Sequence, residues 1–282
     1  MKITTLIEDH ENKKMDLYYQ HGISMLIEDG DDKLLFDTGR DGRFIDNYNN
    51  LVNKYNKNIS MDDLKTVVIS HAHNDHSGGL LRLLNEKKGL NLYVGKGFFE
   101  GKFRITEDGR TCYISNPLTY SDAKKLANQV TIIDNDLLQL TDNIYIVRQF
   151  KKTNDIETIP ANFVLNINNE KFEPDQFADE VAIAVKTPKG IVLCVGCSHP
   201  GVINIARSVS EKLDSKIRAI IGGTHLTKCT KERLDFTVAE FRKMDLDLLA
   251  VSHCTGDENI ERLRTEFKDI FVLNNTGNTI IL

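Results

Sequence analysis

The chain has 282 residues, 40% of them hydrophobic and 27% charged, with a formal net charge of −5. This length buries a sizeable core as one large domain, the default, or as two of ordinary size, and the acidic balance argues against a surface built to hold nucleic-acid phosphates. No run approaches the roughly 20 apolar residues of a membrane span, and the opening MKITTLIEDHENKK has no apolar signal segment, so a cytoplasmic protein without a membrane partner is expected.

In chain order, KITTLIED, ISMLIED and KLLFDTG read as strands of a β-meander, the last two joined at Gly30, Asp31 and Asp32. Residues 43–65 are polar and roughly helix-periodic, and they lead into the apolar strand KTVVIS, which ends at His71. A helix is expected over 80–86, followed by a strand in LNLYVG. Residues 95–178 offer only short strand-like pieces, RTCYIS, QVTIID and NIYIVRQF, among polar connectors. The C-terminal part repeats a strand, loop and helix order three times, with strands in GIVLCVGCSHPG, IRAIIGGTHL and LDLLAVSHCTG. Continuous apolar strands alternating with helices indicate a helix-covered sheet. Together the two ends of the chain predict two mixed sheets packed face to face, with helices outside, in one domain over 1–282.

Six of the eight histidines fall just past predicted strand ends: His71, His73, His76, His199, His225 and His253. Loops at one end of such strands gather into a crevice where ligands bind, so these imidazoles are expected to share one space. In His71-Ala72-His73 the alternate residues face the same way, while Asp75 and His76 come round on the next turn. The two resulting pairs suit a binuclear site for zinc, manganese or iron, with a water or hydroxide between the ions. Gly78 and Gly79 let the backbone turn tightly behind them. The five cysteines are odd in number and scattered, and read as reduced thiols.

The stretch SHAHNDHSGG resembles the His-x-His-x-Asp-His signature of the metallo-β-lactamase superfamily, and LLFDTG resembles its early aspartate motif. With GISMLIED, GCSHPGVINI, IGGTHL and SHCTG, the likeness covers nearly the whole chain. It is similar to the branch of 7,8-dihydropterin-6-methyl-4-(β-D-ribofuranosyl)aminobenzene 5′-phosphate synthase-like proteins. The resemblance implies a four-layer αββα sandwich and two divalent metal ions, zinc first, with manganese or iron as alternatives. It implies that His71 and His73 hold the first ion, and that Asp75, His76 and His253 hold the second. Asp37 would orient a ligand histidine through its other ring nitrogen. The pattern departs from the family where Cys197 takes the place of a bridging aspartate. His199, Cys197 and Glu180 are then the candidates for the missing ligand of the first ion. His199 is favoured, because the thiol of Cys197 is expected to face the core.

The smaller signals have competing readings. Cys194 reads as a buried strand residue, since positions three apart on a strand point to opposite faces. His225 is a ligand, a leaving-group acid or a core histidine, with a site-facing role favoured. CSHPGVIN and CTGDENIE open helices whose first amides would hold an anion or be capped, for instance by Asp257. Arg148, Lys151 and Lys152 would flank a phosphate or form a solvated face. The expected function is a metal-dependent hydrolase or phosphoester-handling enzyme in which a metal-bound hydroxide attacks a small anionic metabolite, with a pterin-related condensation as one form. Asp75 would help orient the hydroxide and His225 would be the acid. The rivals are a di-iron oxidoreductase, a nuclease, or a metal-stabilised binding protein on the same fold. The sequence leaves the oligomeric state open.

Overall fold

Branched and aliphatic side chains in KITTLI, SMLIED and DKLLF set up an antiparallel meander, and their buried positions seat it on a core. In the computed structural model, which describes residues 1–167 and 171–282, these are the strands Lys2–Ile7, Ser24–Asp29 and Asp32–Phe36. The chain divides into two compact units, each assembled from separated stretches. The first comprises Met1–Asp134, Pro160–Asp179 and Asn275–Leu282; the second comprises Asn135–Ile159 and Glu180–Asn274.

In the first unit the meander continues into parallel strands Thr66–Ile69, Asn91–Gly95 and Gln129–Ile133, and Thr279–Ile281 pairs antiparallel with Lys2–Ile7 to complete a seven-stranded mixed sheet. Parallel neighbours need crossover connections. The helices Arg43–Asn53 and Leu80–Glu86 lie in two of these crossovers, and they bury Phe44, Leu51, Leu80, Leu83 and Leu84 in one cluster with Leu26, Leu35, Val67 and Ile69. A second, four-stranded antiparallel sheet is formed by Lys171–Pro174, Phe163–Ile167, Lys102–Ile105 and Thr111–Tyr113. Of these strands only Thr111–Tyr113 coincides with a segment read as a strand from the sequence. Lys171–Pro174 is exposed along its length, so it carries no apolar alternation to read.

The second unit carries its own seven-stranded mixed sheet. Phe271–Leu273, Leu248–Ser252, Ile217–Gly223 and Gly190–Val195 run parallel, and Val181–Thr187, Ile144–Arg148 and Leu137–Gln139 continue antiparallel. Buried runs such as IVLCV and LAVS are what a sheet covered on both faces requires. The helices Val202–Leu213, Lys231–Met244 and Asp257–Glu266 follow the three strands read from the sequence. The register pairs Val195 with Gly222 and Gly222 with Val251, which brings three neighbouring strand ends to within one residue of level. Among the described residues no helix is long and apolar enough to cross a membrane.

Candidate functional site

In the first unit the motif leaves the strand Thr66–Ile69, and Asn74–Ser77 forms a single helical turn. His71, His73, Asp75 and His76 are buried, and the His71 ring lies 4.5 Å from that of His73 and 4.2 Å from that of His76 between centroids. Beneath them Asp37, in left-handed backbone at the end of the meander, is fully buried. Its carboxylate accepts the amide of Ser70 at 2.6 Å, the hydroxyl of Ser70 at 2.8 Å and Nδ1 of His76 at 2.7 Å. Because the Ser70 hydroxyl donates to Asp37, its oxygen accepts from Nδ1 of His71, 3.0 Å away. Both rings are thereby fixed in the tautomer that presents the Nε2 lone pair, which is how carboxylates prepare imidazoles for a cation. Burial, together with His76 and His73, also pushes His71 well below the ordinary imidazole range, so it is a neutral donor.

The two turns are locked together. Thr38 donates its amide to the carbonyl of His76 at 2.7 Å, and a Cβ on Gly78 would stand 1.9 Å from the carbonyl oxygen of Arg40. Only glycine permits that approach. From the other side, the Ala72 amide donates to Asp179 at 2.8 Å, and Asp179 shares the buried ammonium of Lys102 with Asp175 at 2.8 and 2.7 Å. Burial opposes that positive charge, but Asp179 and Asp175 prevail and hold the Lys102 pKa above its ordinary value. Phe163 and Phe177 each lie 5.3 Å from the His73 ring. One residue of this cluster escaped the sequence reading. His21 places Nε2 3.2 Å from Asp75 and Nδ1 2.8 Å from Asp9. No local pattern marks it, because it reaches the motif from a loop far away in sequence.

In the second unit Cys197, His199, His225 and His253 lie just beyond these three strand ends. The thiol of Cys197, expected to turn into the core, instead lies 3.4 Å from Nε2 of His253. The His199 and His225 rings stack at 4.2 Å, and the carboxylate of Glu180 accepts the His199 amide, both oxygens at 3.1 Å. Glu180 therefore holds the His199 backbone. Ser198, His225 and His253 all have positive φ, a conformation whose cost is tolerated mainly where it aims a functional group. Cys254 was also missed by the sequence reading. Burial opposes its ionisation, but a hydrogen bond with Cys197 and the neighbouring His253 and His225 outweigh this and hold its thiol well below the usual range. Cys194 is a core residue, with its thiol pushed up to about 12 by burial alone.

At two of the anion candidates the alternative reading holds. The amides of Ile203 and Asn204, at the helix start in CSHPGVIN, already bind the buried carboxylate of Glu157 at 2.9 and 2.8 Å. Lys151 pairs with Glu211 at 2.5 Å and Lys152 with Asp155 at 2.8 Å, while Arg148 is buried, so these cations do not form a phosphate clamp.

Residues 21–118, which include the whole first-unit motif, match the model of the metallo-β-lactamase superfamily. This part of the chain is similar to that superfamily. Tm1679, described as a metal-dependent hydrolase of the β-lactamase superfamily, superposes with a TM-score of 0.83 at 24% identity, covering 100% of this chain and 99% of its own. The chain thus has the mixed α/β metallo-β-lactamase fold. It is 28% identical over 99% of its length, and 96% of the relative's, to 7,8-dihydropterin-6-methyl-4-(β-D-ribofuranosyl)-aminobenzene-5′-phosphate synthase of Methanocaldococcus jannaschii. An uncharacterized protein of the same organism is 26% identical over 93% of each chain. The donors fit a divalent metal ion, because oriented imidazoles beside a carboxylate are a borderline donor set for zinc, manganese or iron.

Proposed function

We propose that this protein is a metal-dependent enzyme acting on a small anionic metabolite, by hydrolysis or phosphoester handling, with a dihydropterin-related phosphate compound as the leading substrate class. The observation that carries this reading is the buried His71, His73, Asp75 and His76 cluster with Asp37 fixing the His76 ring. In this reading His71 and His73 contribute to one divalent ion, and Asp75 and His76 to a second. When bound, such ions supply Lewis acidity and a water acidified toward neutrality, and they favour a substrate that brings negative charge. Asp37 and Ser70 keep the imidazoles aimed, so little reorganisation is needed when substrate arrives. Asp75, with one oxygen 3.2 Å from His21, has a partner through which a proton can pass to the exposed imidazole.

The half-buried ring of Phe163 beside His73 offers a face to a planar ring system, which supports the pterin reading. So does the likeness to a relative whose name denotes a dihydropterin ribofuranosyl phosphate synthase. The test is direct. Protein loaded with zinc, manganese or iron is assayed against phosphomonoesters, phosphodiesters, and a dihydropterin pyrophosphate offered with an aminobenzene ribofuranosyl phosphate. Metal-dependent turnover of one class, abolished in His76→Ala, is the expected result. Two tightly held ions with no exchangeable water and no turnover of any class would mean a metal-stabilised binding protein.

A further inference from the structure

Three neighbouring parallel strands of the second unit end at Val195, Gly223 and Ser252, and two residues past each end stand Cys197, His225 and Cys254. Val195 is level with Gly222 and Val251, so Cys197 stands two residues beyond that level and His225 and Cys254 three, and the loops fold their side chains together. One ligand atom from each of the three residues lies within 4.8 Å of the others, with both thiols buried. The loops are tied at this point: the His225 amide donates to Sγ of Cys254 at 3.3 Å, the Cys254 thiol donates to the Cys197 carbonyl at 3.3 Å, and the Gly223 amide donates to the Gly196 carbonyl at 3.0 Å. A Cβ on Gly223 would come 2.6 Å from Sγ of Cys254. The sulfur thus occupies space that only glycine leaves.

We infer that Cys197, His225 and Cys254 form a binding site for a thiophilic divalent cation, with zinc or cadmium as the fitting ions. Around a tetrahedral ion with metal–sulfur bonds of about 2.3 Å, ligand atoms are separated by roughly 3.5–3.8 Å. Closing from the present spacing requires side-chain shifts of the order of 1 Å. Two thiolates neutralise a divalent charge, and their softness selects zinc, cadmium or cobalt over magnesium or calcium. This role makes His225 a ligand instead of the leaving-group acid expected from the sequence. The three donors all come from the second unit.

The test is titration of the reduced full chain with cobalt(II) and cadmium(II). Wild type should develop a near-ultraviolet thiolate-to-cobalt charge-transfer band. The band should fall to about half in Cys254→Ser or Cys197→Ser and vanish in the double variant. His225→Ala should weaken the cobalt titration by about tenfold or more, while Cys112→Ser, altered in the first unit, should leave the band unchanged. The band should survive His71→Ala combined with His73→Ala, which separates this site from the proposed catalytic centre. X-ray absorption at the cadmium edge of the wild-type protein, which needs no variant to fold, should count two sulfur ligands. No charge-transfer band at saturating cobalt, fewer than two sulfurs on cadmium, or a band that Cys254→Ser leaves at full strength would overturn the inference.

Discussion

The first unit gathers its donors from six consecutive residues and steadies them with a buried carboxylate, whereas the second collects its donors from three strand ends and ties them through loop hydrogen bonds among sulfurs. In the first, orientation is electrostatic and local: Ser70 and Asp37 set the tautomers of the His71 and His76 rings. In the second, it follows from neighbouring strands that end within one residue of level and from loop hydrogen bonds that bring the donors together. The contrast separates two ways of organising donors. A carboxylate relay prepares nitrogen ligands for a borderline ion, and a cluster at strand ends brings soft atoms together.

The largest effect that would break this contrast is in metal content. His71→Ala and His73→Ala should each lose one divalent ion per chain, and Asp37→Ala, which keeps every ligand, should weaken binding by about 10–100-fold. Unchanged stoichiometry in both histidine variants, read by plasma emission on dialysed protein, would remove the first unit from the account of metal binding. Next in size is Lys102→Met. It leaves Asp175 and Asp179 buried without their cation and should cost about 3–5 kcal/mol in urea unfolding. The sign with pH follows from a folded-state Lys102 pKa above its unfolded value near ~10.4. The contribution is complete below that pH and is lost as pH rises through the folded pKa. The gap between wild type and variant should therefore be constant near neutrality and shrink in alkali; a gap that widens there would mean Lys102 is not charged in the fold.

In the second unit, Glu157→Ala should cost about 1–2 kcal/mol by uncapping the helix Val202–Leu213, and it should lower hydrogen-exchange protection in that helix first. Smallest are the paired cap variants Thr119→Ala and Thr230→Ala. Each removes one hydroxyl that accepts a first-turn amide, and each should cost about 1 kcal/mol. Equal losses in the two units would show that the contrast belongs to the sites and not to the general stability of their surroundings.

Much of this was legible in residues. The helix over 80–86, the meander and the three strand-loop-helix repeats announce themselves because apolar periodicity and turn residues agree. The four-stranded sheet hid because its strands are short and partly exposed, as in Lys102–Ile105. The His71 to His76 motif was readable since its donors are neighbours in sequence. His21 and Cys254 were not: one reaches Asp75 from a distant loop, and the other follows His253 in a stretch where the histidine carries the visible signal. Glu157 shows the same limit, since an amide-binding carboxylate 46 residues from its partner leaves no local trace.

The pairing of Lys2–Ile7 with Thr279–Ile281 has a consequence for the order in which the molecule assembles. Met1 and Leu282 exchange hydrogen bonds at 3.1 Å in both directions, so the edge of the first unit's large sheet joins residues 281 positions apart. Every strand of the second unit precedes that closing strand in the chain, so its sheet needs no residue beyond Leu273, whereas Lys2–Ile7 keeps an open edge until Thr279–Ile281 pairs with it. Loop-closure entropy rises only slowly with length, by about 0.6 kcal/mol per doubling, so the pairing costs little once made. Its sequence separation places it among the slow contacts. The unit that carries the histidine motif therefore waits longest for its last strand, with an exposed edge able to pair with another chain until it arrives.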